Sequence, residues 1–109
     1  MLQIAFRTVA ADDLWMSPSH HADSVAFHFT WIPDGAAISP VLTAIEERLA
    51  PFRARPHWGK VFNTAPDVLG RLYERMPDFR RLLRSYDPGG KFRNEFVERL
   101  VMGGERSAP

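Results

Sequence analysis

The chain has 109 residues, 45% hydrophobic and 25% charged, with a formal net charge of +1. That length is room for one domain with a real core, and the near-neutral balance gives no electrostatic case for nucleic acid or an anionic membrane surface. The lack of cysteine excludes a disulfide frame, a thiol nucleophile and a thiolate metal site, and no apolar run reaches membrane-spanning length.

Residues 2–9 alternate Leu2, Ile4 and Phe6 against Gln3, Ala5 and Arg7, which predicts a strand. The first residues are too few and too polar for a signal peptide, so a cytoplasmic location is expected. A chain that begins inside a strand, with no turn or cap ahead of it, reads as part of something larger. Residues 10–18 are expected to make a short helical turn and then a loop, continued by His20, His21 and Asp23. The clearest strand is 24–32. Val25, Phe27, Phe29 and Trp31 share one face, and Ala26, His28, Thr30 and Ile32 share the other. The first face is expected to be core. The second sets His28 and Thr30 side by side, about 7 Å apart along the strand. Pairing of the two strands would add Arg7 to that polar face. Taken singly, these residues have plainer explanations. A histidine in an aromatic strand is more often a satisfied core residue than a catalytic one, and an edge-strand arginine usually reaches water.

Pro33-Asp34-Gly35 is turn chemistry, and Ser39-Pro40 is expected to open a helix with the stripe Val41, Leu42, Ile45 and Leu49, ended by Pro51. Arg55-Pro56-His57-Trp58-Gly59-Lys60 then concentrates two cations, an imidazole and an indole in a loop. Pro56 fixes its own backbone and holds Arg55 extended, so the segment should hold Lys60 or His57 in a required place. A second helix is expected to carry Val68, Leu69, Leu72, Tyr73 and Met76. Pro77 should start a third, with Phe79, Leu82, Leu83 and Tyr86 as its buried stripe. Asp87-Pro88-Gly89-Gly90 predicts a turn, 94–101 a last short helix and 103–109 a frayed tail. The mix of strands and helix gives way to helix alone near Lys60, which places a boundary between 1–60 and 61–109. The expected fold class is α+β: short antiparallel strands with one packed helix, followed by a helical C-terminal segment.

The four histidines lack the i, i+4 spacing of a helical metal pair, so no metal site is expected. The arginines at 71, 75, 80, 81, 84, 93 and 99 alternate with acidic residues, the pattern of a solvated helical face. Gly89-Gly90 is a turn and not a phosphate loop.

Four stretches resemble one family in the same order: residues 7–18, Phe27-His28-Phe29-Thr30-Trp31, Arg55-Pro56-His57-Trp58-Gly59-Lys60, and Asp87-Pro88-Gly89-Gly90-Lys91-Phe92-Arg93-Asn94. The family is the bacterial alditol (xylitol) and D-arabinono-1,4-lactone oxidases, flavoproteins of the vanillyl-alcohol-oxidase superfamily. The resemblance implies FAD as cofactor in the intact enzyme and a polyol or aldonolactone as substrate. It implies catalytic positions at Arg7 and Lys60 and substrate-binding positions at His28 and Thr30. It assigns 1–60 to part of the substrate (cap) domain and 61–109 to a helical segment returning to the flavin-binding domain. One departure stands out: the family pattern leads to an acidic residue two positions before the arginine, and here that position is Ala5.

The flavin-binding domain would precede residue 1 in this family, so the chain resembles the C-terminal quarter of an oxidase and is expected to be inactive by itself. Two other readings compete: one half of a split oxidase working with a separate flavin-binding domain, and a non-catalytic module that binds a polyol or a protein partner. Apolar surface left exposed in such a piece favours a homo-oligomer.

Overall fold

Two seven-residue strands open the fold, β1 (Gln3–Val9) and β2 (Ser24–Thr30), paired antiparallel. The computed structural model describes residues 3–103, so the expectations for Leu2 and for 104–109 lie outside it. Among the described residues no helix is long and apolar enough to cross a membrane. The fold class is α+β, and the chain divides into two compact units, 1–63 and 64–109.

In the first unit the expected helical turn after β1 is instead a looped segment with no helix in it. It is closed by a bridge between Asp12 and His20 and by the Asp12 carboxylate, which accepts from the Leu14 amide (3.0 Å) and the Ser17 hydroxyl (2.5 Å). These local bonds satisfy the backbone without a helix. Helix α1 spans Gly35–Leu49, four residues earlier than the Ser39-Pro40 pair suggests. Asp34 is the cap: its Oδ1 accepts from the Ala37 amide at 3.2 Å. Pro40 therefore sits inside the helix, where its missing N–H leaves the Ala36 carbonyl without its usual partner. A short 3₁₀ turn, Ala50–Phe52, follows, with Pro51 in its first turn.

The aromatic face of β2 is not the core that its composition suggests. Val25 is 56% exposed and Phe27 47%, and Phe6 on β1 is 66% exposed. The physical reason is cover. Where α1 meets this face it leaves an open apolar groove of about 340 Å³ lined by Phe27, Phe29, Val41, Ile45 and Leu49 among others. Phe6 and Phe27, directly opposed, still meet edge to face at 5.3 Å.

In the second unit, helix α2 (Pro66–Leu72) and helix α3 (Met76–Tyr86) are separated by a bend at Tyr73, whose backbone is extended. Met76 thus begins the third helix and does not end the second. The helical pattern runs on to Met76, but Pro77 has no N–H to give and belongs in a first turn. Leu69, Leu72, Tyr73, Met76, Leu100, Val101 and Met102 are buried here, whereas Leu42 is the buried apolar residue of the first unit.

The buried side of α3 also differs from the expected stripe. Leu82 is 41% exposed and Tyr86 83%, while Met76 and Arg80 are buried. Arg80 is therefore no part of a solvated face. Its Nε donates to the Val101 carbonyl at 2.6 Å, and Nη2 lies over Gly70, where a Cβ would stand 3.1 Å from it. Of the other arginines in this run, Arg71, Arg81, Arg84 and Arg99 are exposed and Arg75 and Arg93 half-buried. Arg71 pairs with Asp67, and Arg75 and Arg81 both reach Asp78, contacts that contribute little in water.

The Asp87–Gly90 turn is present, with Gly90 at φ +68°, a conformation that favours glycine. The Asp87 carboxylate closes it by accepting from the Lys91 and Phe92 amides at 2.8 and 3.0 Å. Beyond it Asn94 caps the Val97 amide at 2.9 Å, and the last helix widens into a π-turn, Val97–Val101, closed by Met102 N–H to the Val97 carbonyl. That unwinding ends the helical run and leaves the Val101 carbonyl to accept from Arg80.

Candidate functional site

In an antiparallel ladder, directly paired residues point to the same side. The register pairs Gln3 with Thr30, Ala5 with His28 and Arg7 with Ala26. Gln3, Ala5, Arg7, Ala26, His28 and Thr30 thus share one face, opposite the aromatics. The expected grouping of Arg7, His28 and Thr30 is what the register gives. Arg7 is the diagonal neighbour of His28, about 7 Å away between backbones, and Ala5 stands directly across from His28.

Gln3, Arg7, His28 and Thr30 are all exposed. None of the four side chains forms a hydrogen bond or ion pair among the described residues. Gln3 is the polar member of this face that motif reasoning passes over; its alternation with Ala5 and Arg7 was the available signal. Such a face offers donors from a fixed guanidinium, an imidazole, a hydroxyl and a carboxamide on one rigid surface.

Lys60 lies outside the sheet, exposed, at the end of the 55–60 loop. No hydrogen bond joins it to Arg7, His28 or Thr30 among the described residues. The loop itself is tied back to the segment that follows β1. Arg55 Nη1 donates to the carbonyls of Pro18 (3.2 Å) and His20 (3.0 Å), with Ser17 at the 3.5 Å limit. The Trp58 indole N–H donates to the Met16 carbonyl at 2.8 Å. His20, 2% exposed, donates from Nδ1 to the Leu14 carbonyl at 2.9 Å. Within the loop the Gly59 amide donates to His57 Nδ1 at 3.0 Å, so neutral His57 carries its proton on Nε2. The Lys60 amide donates to the His57 carbonyl at 3.0 Å.

The motif therefore has two kinds of residue. Arg55 and Trp58 anchor the loop to the chain beyond β1, and the anchored loop presents His57 and Lys60. The Arg55 contacts to Ser17, Pro18 and His20 all come from one nitrogen, Nη1, and the ammonium of a lysine, on a different stem, would not stand at the same point. Arg55→Lys is expected to destabilise the first unit by about 1–2 kcal/mol. It should also speed exchange of the His20 and Lys60 amides, read by hydrogen exchange. Unchanged exchange at both amides would mean that the loop is held without the guanidinium.

Comparison with known proteins bears on what this face belongs to. The family model described as D-arabinono-1,4-lactone oxidase matches residues 1–100. The alditol oxidase of a Streptomyces species is 52% identical over 97 residues, covering 89% of this chain and 23% of that protein. The L-gulonolactone oxidase of Mus musculus is 26% identical over 100 residues, covering 89% of the chain and 23% of that protein. The L-gulono-1,4-lactone dehydrogenase of Mycobacterium tuberculosis is 27% identical over 103 residues, again 23% of its length. The chain spans about a quarter of these relatives. With the family model matched along nearly its whole length, the chain belongs to the D-arabinono-1,4-lactone oxidase family.

Proposed function

We propose that this chain is the C-terminal part of an FAD-dependent oxidase acting on the CH–OH group of sugar alcohols or aldonolactones, with oxygen as acceptor. In this reading residues 1–60 supply the substrate side of the site and 61–109 return to the flavin-binding domain. The observation that carries it is the grouping of Arg7, His28 and Thr30, without side-chain partners among the described residues, on one sheet face of a chain 52% identical over 97 residues to an alditol oxidase.

Each residue then has a task set by its chemistry. Arg7 and Lys60 are fixed cations suited to hold the alcohol oxygen and to offset negative charge that develops during the reaction. His28 and Thr30 can donate to and accept from further hydroxyls, which orients a polyol or lactone. A bound FAD would take the hydride from carbon and pass two electrons to oxygen, giving hydrogen peroxide. The described residues fit the substrate side of that chemistry and not the cofactor's diphosphate. At the Gly89-Gly90 turn, the Asp87 carboxylate already takes the Lys91 and Phe92 amides and would repel a phosphate. We assign the diphosphate to residues of the family fold outside 1–109. The exposed apolar side of the sheet supports association of this segment with further protein.

The test is to replace the matching quarter of the Streptomyces alditol oxidase with residues 1–100 and assay peroxide from xylitol and from an aldonolactone. The flavin-loaded hybrid is expected to turn over at least one of them. Residues 1–109 alone, mixed with FAD and the same substrates, are expected to give no peroxide above a flavin-only blank. A folded, flavin-loaded hybrid without peroxide, or turnover by 1–109 alone, would overturn the respective half of this proposal.

A further inference from the structure

We infer that the polar sheet face takes a polyhydroxy acid, with Arg7 binding the substrate's carboxylate in the space above Ala5. This rests on the reading just given and refines it: the same face binds the substrate, Arg7 takes a substrate carboxylate and leaves the alcohol oxygen to Lys60, and carboxylate-bearing polyols are preferred to neutral ones.

The argument begins with charge. Neither strand, Gln3–Val9 or Ser24–Thr30, contains an aspartate or glutamate. Arg7 is always protonated, and its guanidinium has no hydrogen-bond or ion-pair partner among the described residues. Two of the acids flanking the strand ends are engaged with backbone and hydroxyl groups, and Asp13 is exposed. Asp12 holds the Leu14 amide and the Ser17 hydroxyl, and Asp23 Oδ1 accepts from the Ala11 amide at 2.8 Å. Among the described residues, the face thus presents a permanent cation without a counter-ion.

Space comes next. Ala5 is flanked by Arg7 and Gln3 on its own strand and faces His28 across the ladder. Ala26, directly across from Arg7, is equally small. A side chain carboxylate at position 5 would lie within reach of both Arg7 and His28. With alanine there, that volume is open and lined by donors. A ligand carboxylate placed in it would accept a bidentate pair from Arg7 and a further bond from His28. The rest of the ligand would run toward Thr30 and Gln3, one ladder pair further on, whose hydroxyl and carboxamide suit its remaining hydroxyls. A neutral polyol makes the same hydroxyl contacts but lacks the charged group that pairs with the Arg7 guanidinium.

The experiment compares D-gluconate with sorbitol, which share a carbon skeleton and differ in carboxylate against CH₂OH at one end. Isotope-labelled 1–109 is titrated at constant ionic strength, following the backbone amides of residues 3–9 and 24–30 and the Arg7 Nε–H by NMR. Gluconate is expected to shift Arg7, His28 and Thr30 and to bind at least tenfold tighter than sorbitol. Arg7→Gln and Ala5→Glu should each abolish that preference. Acetate, a carboxylate without hydroxyls, should bind at least tenfold more weakly than gluconate.

Sorbitol binding as tightly as gluconate, on the same residues, would overturn the acid preference and leave the polyol face standing. Acetate matching gluconate would also overturn it, since the hydroxyls would then contribute nothing. If neither sugar moves Arg7, His28 or Thr30, the face is not a substrate surface and both readings fall. The unaltered chain decides all three outcomes, so a variant that fails to fold does not remove the test.

Discussion

Leu69→Ala is expected to remove about 2–5 kcal/mol, combining lost apolar transfer with the cavity left behind. A chain of this kind holds about 5–15 kcal/mol in total, so this single change takes a large share. Leu69 and Met76 are 0% exposed and Tyr73 is 1% exposed, and these three are the most deeply buried large side chains described. Seven apolar residues are buried in this unit among the described residues, and so small a core has little means to repack around a missing isopropyl group. The measurement is a urea midpoint with hydrogen exchange of the α2 and α3 amides, which should lose most of their protection. Leu82→Ala is the control. Helical periodicity puts Leu82 in the same buried stripe, but it is 41% exposed, and its truncation should cost less than about 1 kcal/mol. Equal losses for Leu69 and Leu82 would contradict the packing described for α3.

Lys60→Met is expected to lower kcat of the flavin-loaded hybrid by about 10²–10³-fold, the scale of losing one preorganised charge or donor at a developing charge. Methionine keeps the length of the stem and removes the ammonium, so the effect reports charge rather than packing. His28→Ala should behave differently. A group that binds a remote hydroxyl equally in ground and transition states raises KM and leaves kcat near its starting value, by about tenfold for one such hydrogen bond. Steady-state kinetics on the two variants, with flavin content measured on each, separates the roles. A Lys60→Met enzyme with unaltered kcat would remove Lys60 from the chemistry.

Local regularities made part of this molecule legible before any coordinates. Strand alternation placed His28 and Thr30 together, because a period of two leaves a side chain only two directions, and Arg7 joined them on the expectation that the two strands pair. Ser39-Pro40 misled for an equally local reason. Both residues are good helix openers, and only the Asp34 carboxylate on the Ala37 amide shows that the helix had begun earlier. What stayed hidden was long-range. Arg80 looks solvated beside Arg81 and Asp78, yet it is buried on the carbonyl of Val101. Trp58 reaches Met16 and Arg55 reaches His20 across distant sequence, and no spacing rule announces such pairs. The aromatic face of β2 misled differently. Its composition is that of a core, but whether apolar residues are covered depends on how much protein stands over them.

The polar sheet face has one more consequence, for how such a chain can change over generations. Most substitutions that harm a protein do so by opening cavities, stranding buried polar groups or breaking networks. Gln3, Arg7, His28 and Thr30 are exposed and make no side-chain bonds among the described residues, so exchanging them disturbs none of these. Ala5 faces the same open surface across from His28. The substrate preference proposed for this face can therefore drift at these positions with little loss of folding stability, whereas the 55–60 loop, with its anchors at Arg55 and Trp58, has no such freedom.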